Sequence, residues 1–166
     1  MSKINLAIDR AVLDKNVQKA RENNVIIPTL RQMQDPETIP APIQEKLKGV
    51  GLWDVNPLNL FRITWKNEAK ESGGLFQAVP NYVEIPSKLS GVPCRIIAMA
   101  GKWFPTGCHK VGASFGCLAP RLVTGQFDAT WHKAVWPSTG NYCRGGAFNS
   151  KLLACESVAI LPAEMS

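Results

Sequence analysis

The sequence lacks the features that mark several large classes of protein. It has five cysteines but no Cys-x-x-Cys pair, and only two histidines, so zinc is not expected. An odd cysteine count without a signal peptide indicates reduced thiols, and we expect most of them to be small core residues. No apolar run reaches the roughly 18 residues of a membrane span. The polar N-terminus differs from a secretion signal, so we expect a cytoplasmic protein without a membrane partner.

Acidic residues are scarce in the second half of the chain. The net charge is +6, from 19 basic and 13 acidic residues. Residues 1–80 carry eleven basic and nine acidic residues, whereas residues 81–166 carry eight and four. This surplus suits an anionic ligand. Nucleic acid is the alternative, but the basic residues are scattered, without a basic run or interleaved aromatics, so we expect no nucleic-acid partner.

Length and composition allow one domain of ordinary size, with 45% hydrophobic residues among 166. Apolar spacing and turn residues predict helices over residues 5–23, 28–33 and 35–47. This region is charged and carries no identifiable chemistry. We interpret residues 1–50 as a helical N-terminal extension that wraps the core or makes a subunit contact. Residues 51–166 are then the region that carries the chemistry.

Apolar strands alternate with helix-period segments in the second region. Strands are predicted at residues 60–65, 82–85, 94–100, 133–136 and 157–161. Helices are predicted at 142–153 and at 109–124, the latter kinked by Pro120, ended by Gly125, and with one apolar face made of Val111, Phe115, Leu118 and Leu122. The alternation indicates an α/β protein with three parallel strands across residues 94–161 and right-handed crossovers.

Lys110 lies in the segment Pro-Thr-Gly-Cys-His-Lys-Val-Gly-Ala, at the predicted start of a helix. A lysine that attacks an aldehyde must be deprotonated, which a desolvated site or nearby cations favour. Gly107, Gly112 and Gly116 allow close approach of backbone or ligand. The alternative is an ordinary solvated lysine on a helix surface.

A small polar loop, Ser138-Thr139-Gly140-Asn141-Tyr142, follows an apolar strand and opens the next predicted helix. The unpaired N–H groups at a helix N-terminus attract a carboxylate. Ser138 and Thr139 add hydroxyl donors, and Gly140 permits a tight turn. The alternative is an ordinary helix cap, because Ser, Thr and Asn are common at that position.

The lysine and the asparagine loop, thirty-one residues apart, together resemble the pyridoxal-phosphate enzymes of fold type II, such as tryptophan synthase β, cysteine synthase and threonine dehydratase. The resemblance implies that Lys110 holds the cofactor as a Schiff base. It implies that Asn141 contacts the cofactor ring and that residues 138–142 bind the substrate carboxylate. In the family's loop a threonine precedes a serine, and this order is swapped here in Ser138-Thr139. His109 and Val111 flank the lysine. His109 is a candidate for tuning the lysine or binding the cofactor phosphate, or is a polar loop residue.

The resemblance covers about residues 80–166 and implies a three-layer α-β-α fold, namely the N-terminal portion of a tryptophan synthase β-like fold. It implies that the full-length protein performs β-elimination or β-replacement on an amino acid. It also implies that the full-length protein is a homo-oligomer, namely a dimer. The family's glycine-rich cup for the cofactor phosphate is not found in the sequence. We therefore expect this chain to be the N-terminal part of a longer enzyme. A catalytically inactive fragment or a non-enzymatic binding module is the alternative.

Overall fold

A computed structural model describes residues 7–69 and 72–164. These residues form a mixed structure of helices and short strands, with two small sheets. The elements are, in chain order, α1 (Arg10–Glu22), α2 (Leu30–Gln34), α3 (Ala41–Leu47), β1 (Tyr82–Ile85), α4 (Ser87–Ser90), β2 (Ile96–Met99), α5 (Lys110–Thr124), β3 (Lys133–Pro137), α6 (Asn141–Leu152) and β4 (Glu156–Ile160). Short 3₁₀ turns occupy Pro36–Thr38, Pro57–Arg62 and Pro105–Gly107.

The three helices predicted in the N-terminal region are present, with caps that their sequences supply. The Asp9 carboxylate accepts a hydrogen bond from the Val12 amide at the start of α1. At α2, Thr29 and Gln32 cap each other's backbone N–H groups in a capping box. These contacts satisfy amides that have no partner inside the helix.

Residues 60–65 do not form the predicted strand. Residues 60–62 belong to a 3₁₀ turn, Pro57–Arg62, and residues 63–65 follow it. The Asn56 side chain accepts a hydrogen bond from the Leu58 amide, and proline suits the first helical position. Leu60 and Phe61 are consecutive and both buried, in two different apolar clusters. The prediction of a strand at residues 60–65 was therefore wrong, because consecutive residues here are buried and burial does not alternate.

The strand predicted at residues 94–100 is present as β2, but it is neither parallel nor buried. It pairs antiparallel with β1, in a register that sets Tyr82 opposite Met99 and Ile85 opposite Ile96. The ten residues between the strands include only one helical turn, whereas a parallel connection needs a dozen or more. The prediction of three parallel strands across residues 94–161 is thus wrong for the first of them.

The strand-helix-strand unit of residues 133–160 agrees with the prediction. β3 and β4 are parallel, with Lys133 opposite Glu156 and Pro137 opposite Ile160, and α6 connects them. Helix α5 ends at Gly125, whose φ of +75° is readily adopted only by glycine. All four apolar residues predicted for the inner face of α5 are buried: Val111, Phe115, Leu118 and Leu122.

The β3–β4 sheet is covered on one side only. Ala134 and Trp136 of β3 point into the core that α5 and α6 share, whereas Val135 is half exposed. Strand β4 is exposed along its whole length, including Val158 and Ile160. Two strands with one helical layer are consistent with an α/β fold.

Polar contacts attach helix α1 to the rest of the structure. The buried Asn16 side chain donates hydrogen bonds to the carbonyls of Leu122 and Phe127, and accepts one from the Ala129 amide. The N-terminal segment therefore packs on the end of α5. Within residues 7–69 and 72–164, none of the helices has the length and hydropathy to cross a membrane, and no cluster of three or more metal-ligating side chains occurs.

Candidate functional site

Lys110 is the first residue of α5, and its side chain is exposed. Among the residues that the structure describes, none forms an ion pair or hydrogen bond with its amine. No side chain caps the start of α5, and the first turn carries no acidic residue. The lysine amine thus lies at a helix N-terminus without a polar partner among the described residues.

The loop that leads into Lys110 has an unusual backbone. Thr106 has a φ of +66°, which costs a β-branched residue conformational energy. Its side chain is buried, and its hydroxyl oxygen has no hydrogen-bond partner. Gly107 follows with a φ of +69°, and the Trp53 ring lies so close that a Cβ at this glycine would be 3.2 Å from it. Packing therefore holds this loop in a conformation that its sequence does not favour locally.

The exposed His109 packs against the segment before β1, and its Nδ1 lies 3.9 Å from Cys108 Sγ. Its ring stacks on Trp65, with ring centroids 5.5 Å apart and planes inclined by 23°. A Cβ on Gly101 would lie 3.1 Å from the His109 amide nitrogen, so the backbones of these two residues approach closely. The structure thus fixes the histidine ring beside an aromatic wall. Its predicted contact with cofactor stays a prediction.

The 138–142 loop lies at the N-terminus of α6, as predicted. Gly140 is the N-cap, no side chain caps the helix, and its first turn has no acidic residue. Ser138 Oγ accepts a hydrogen bond from the Gly140 amide at 3.4 Å, whereas Thr139 and Asn141 are exposed. Because no side chain satisfies the first-turn N–H groups of α6, they are open to an external acceptor such as a carboxylate.

The beginning of α6 packs against the beginning of α5. A Cβ on Gly145, one turn after Asn141, would lie 2.8 Å from Val111 N and 3.0 Å from Lys110 C, so only glycine permits this approach. Asn149, one turn further, donates to the Val111 carbonyl at 2.6 Å and to Ser114 Oγ at 2.8 Å. The two helix starts that carry Lys110 and Asn141 are thereby joined by backbone contact and buried hydrogen bonds.

Tyr142 makes a second link between these helices. Its hydroxyl donates a hydrogen bond to Cys117 Sγ at 3.3 Å. That hydrogen bond, with burial adding to it, raises the pKa of Tyr142 to about 12. Cys117 lies seven residues, or about two turns, after Lys110, so both side chains share one face of α5. Tyr142 therefore lies over the same helix face as the lysine.

The positions of the five cysteines contradict the expectation that most of them fill the core. Only Cys143 and Cys155 are buried, whereas Cys94 and Cys117 are exposed and Cys108 is half-buried. The spacing of seven residues from Lys110 could have placed Cys117 on the lysine face. Its contact with Tyr142 depends on how α6 packs, which no local pattern encodes.

The chain matches no protein-family model, and no curated protein or solved structure is similar to it. The assignment of this site therefore depends on its own residues and geometry.

Proposed function

We propose that this chain carries the lysine and the carboxylate-binding loop of a pyridoxal-phosphate enzyme that performs β-elimination or β-replacement on an amino acid. One observation carries the proposal. Lys110 and Asn141 open two uncapped helices, and the backbone of Gly145 joins the starts of these helices. An amine and a set of free N–H donors on one surface suit an aldehyde cofactor and a carboxylate substrate.

The residues at this site suit two of the groups that it must bind, namely the cofactor aldehyde and the substrate carboxylate. Lys110 would hold the cofactor aldehyde through its amine, which no acidic residue of the described structure neutralises. Asn141 would donate its amide to the phenolate oxygen of the cofactor ring. Ser138, Thr139, Gly140 and the first turn of α6, up to Tyr142, would bind the substrate carboxylate. No described residue is assigned to the cofactor phosphate, apart from His109 as a candidate.

The roles of these residues follow from their chemistry. When bound, the cofactor supplies a ring that takes up negative charge from the substrate α-carbon. Lys110 Nζ, in its free form, would accept the proton at that carbon. The N–H groups of α6 orient the substrate carboxylate, and this orientation directs the α-proton toward the lysine.

The proposal includes the architecture and the assembly. The parallel β3–β4 pair and its single helical layer would be half of a three-layer α-β-α arrangement, and a second helical layer would pack on the exposed face of β3 and β4. In full-length form we propose a homodimer that works in the cytoplasm on an amino-acid substrate.

The test is site-specific labelling by pyridoxal 5'-phosphate. The chain is incubated with less than one equivalent of cofactor and reduced with borohydride, and its peptides are mapped by mass spectrometry. We expect label at Lys110, and loss of that label in Lys110→Ala without a change in the circular dichroism spectrum. Lys151→Ala, which removes an exposed lysine at the end of α6, is the control and should label as the wild type.

The competing function is a non-enzymatic binding module, which the exposure of Lys110 favours. It predicts label spread evenly over the exposed lysines, and equal labelling of Lys110→Ala and Lys151→Ala. That result would remove the cofactor site from this segment.

A further inference from the structure

A large cleft lies beside the candidate site, on a different face of α5. It has a volume of about 500 Å³, and its walls are formed by helix α2, residues 63–66, Pro80, Phe104 and the start of α5. Its borders on α5 are His109, Gly112 and Ala113. The two small residues leave this side of the helix open. The volume lies in the range that small-molecule sites occupy.

The walls of the cleft are mainly apolar and aromatic. Trp65 and Phe104 contact edge to face, with ring centroids 4.9 Å apart and planes inclined by 80°. Trp65 also stacks on His109, so three rings hold one another in place. Leu30 and Met33 of α2 face them across the cleft. Such a wall suits the flat or branched apolar body of a small molecule.

The charged groups of the cleft have one sign. Lys66 and His109 are its titratable side chains, and no aspartate or glutamate lines it. Lys66 is half-buried, and no acidic side chain in the described ranges pairs with its amine. A lysine without an acidic partner among the described residues, at the edge of an apolar cleft that a histidine also lines, is complementary to a carboxylate.

We propose that this cleft binds a small-molecule carboxylate with an aromatic or branched apolar body. The body lies against Trp65 and Phe104, and the carboxylate is paired with Lys66 and contacts His109. The site goes beyond the proposed amino-acid chemistry, with which it shares only His109. It requires no cofactor. A failure of cofactor labelling at Lys110 would therefore leave this proposal standing.

The test compares a carboxylate with its neutral isostere. The 166-residue chain, without cofactor, is titrated with 3-phenylpropanoate and with 3-phenylpropanamide by calorimetry, and the binding surface is mapped from backbone amide chemical shifts. We expect saturable binding of the carboxylate, shifts at residues 63–66 and 109–113, and about fivefold weaker binding of the amide, the size of one partly exposed ion pair.

Two variants separate charge from shape. Lys66→Gln should bind the carboxylate and the amide equally, whereas Lys46→Gln, an exposed lysine of α3 outside the cleft, should keep the preference. Ala113→Phe should fill the cleft and abolish binding of both ligands, with an unchanged circular dichroism spectrum. Equal binding of the two ligands by the wild type, wild-type binding by Ala113→Phe, or no saturable binding would each overturn the proposal.

Discussion

Two adjacent glycines in α6, Gly145 and Gly146, make different close contacts in the packing around the candidate site. Gly145 meets the backbone of Lys110 and Val111, whereas a Cβ on Gly146 would overlap the indole ring of Trp136 on β3. The Trp136 indole N–H in turn donates to Ser150 Oγ at 3.0 Å. One glycine thus sets the approach of helix to helix, and the other sets the approach of helix to strand.

We predict that Gly146→Ala lowers the free energy of unfolding by about 1–3 kcal/mol, because the added methyl must displace a buried ring. Urea unfolding followed by tryptophan fluorescence measures the change. Gly116→Ala in α5 is the matched control, since nothing lies within 4 Å of a Cβ there. It should stabilise the chain by up to about 1 kcal/mol through helix propensity. Equal effects of the two substitutions would contradict the packing described for α6.

At the scale of elements, helix α1 is attached by polar contacts rather than by an apolar face. Asn16 is its one buried residue among the described positions, and Lys19 donates to the Ala129 carbonyl at 2.6 Å. Lys15 pairs with Asp128, whose carboxyl pKa is lowered chiefly by hydrogen bonds from Thr130. Helix α1 thus packs on the end of α5 through these side chains, and the role predicted for residues 1–50 stays a prediction.

We predict that Asn16→Ala lowers the free energy of unfolding by about 1–3 kcal/mol, because it leaves buried backbone groups of residues 122–129 without partners. Hydrogen exchange should show faster exchange across the amides of α1, and little change in α6. Gln18→Ala, an exposed position of the same helix that bonds only Glu22, is the control and should leave exchange nearly unchanged. If both variants exchanged alike, Asn16 would not be the anchor of α1.

At the scale of the whole molecule, the sheets expose apolar side chains that folded proteins usually cover. Both strands of the β3–β4 pair contribute to this surface, and Ile160 is 55% exposed on β4. A strand that is open on both faces offers its backbone and side chains to another chain. We define this surface as the open face of β3–β4, made of Val135, Val158 and Ile160.

We predict that the 166-residue chain associates in a concentration-dependent manner through this open face. Sedimentation velocity should show larger species as concentration rises. Ile160→Lys should shift the distribution toward monomer, because a charge on an open strand opposes pairing. Ile26→Lys is the matched control, since Ile26 is 52% exposed and lies outside the sheets. A monodisperse monomer at every concentration would refute the prediction.

Local sequence determined the elements whose signals are local. The apolar period of α5 and the glycine that ends it, the crossover β3–α6–β4, and the polar loop 138–142 that opens α6 were all predicted, because they depend on neighbours within a few turns. The segments at 60–65 and 94–100 were misassigned for the opposite reason. Burial of Leu60 on every side, and the antiparallel partner of β2, depend on residues far along the chain.

The candidate site divides in the same way. The sequence by itself placed Lys110 and Asn141 at two helix starts, since the apolar helix period and the turn residues before each helix decide those positions. Only the tertiary structure decided that Gly145 joins these starts, that Tyr142 reaches Cys117, and that His109 stacks on Trp65. The physical reason is that each of these contacts depends on how separate elements pack, and close packing is a property of the folded chain as a whole.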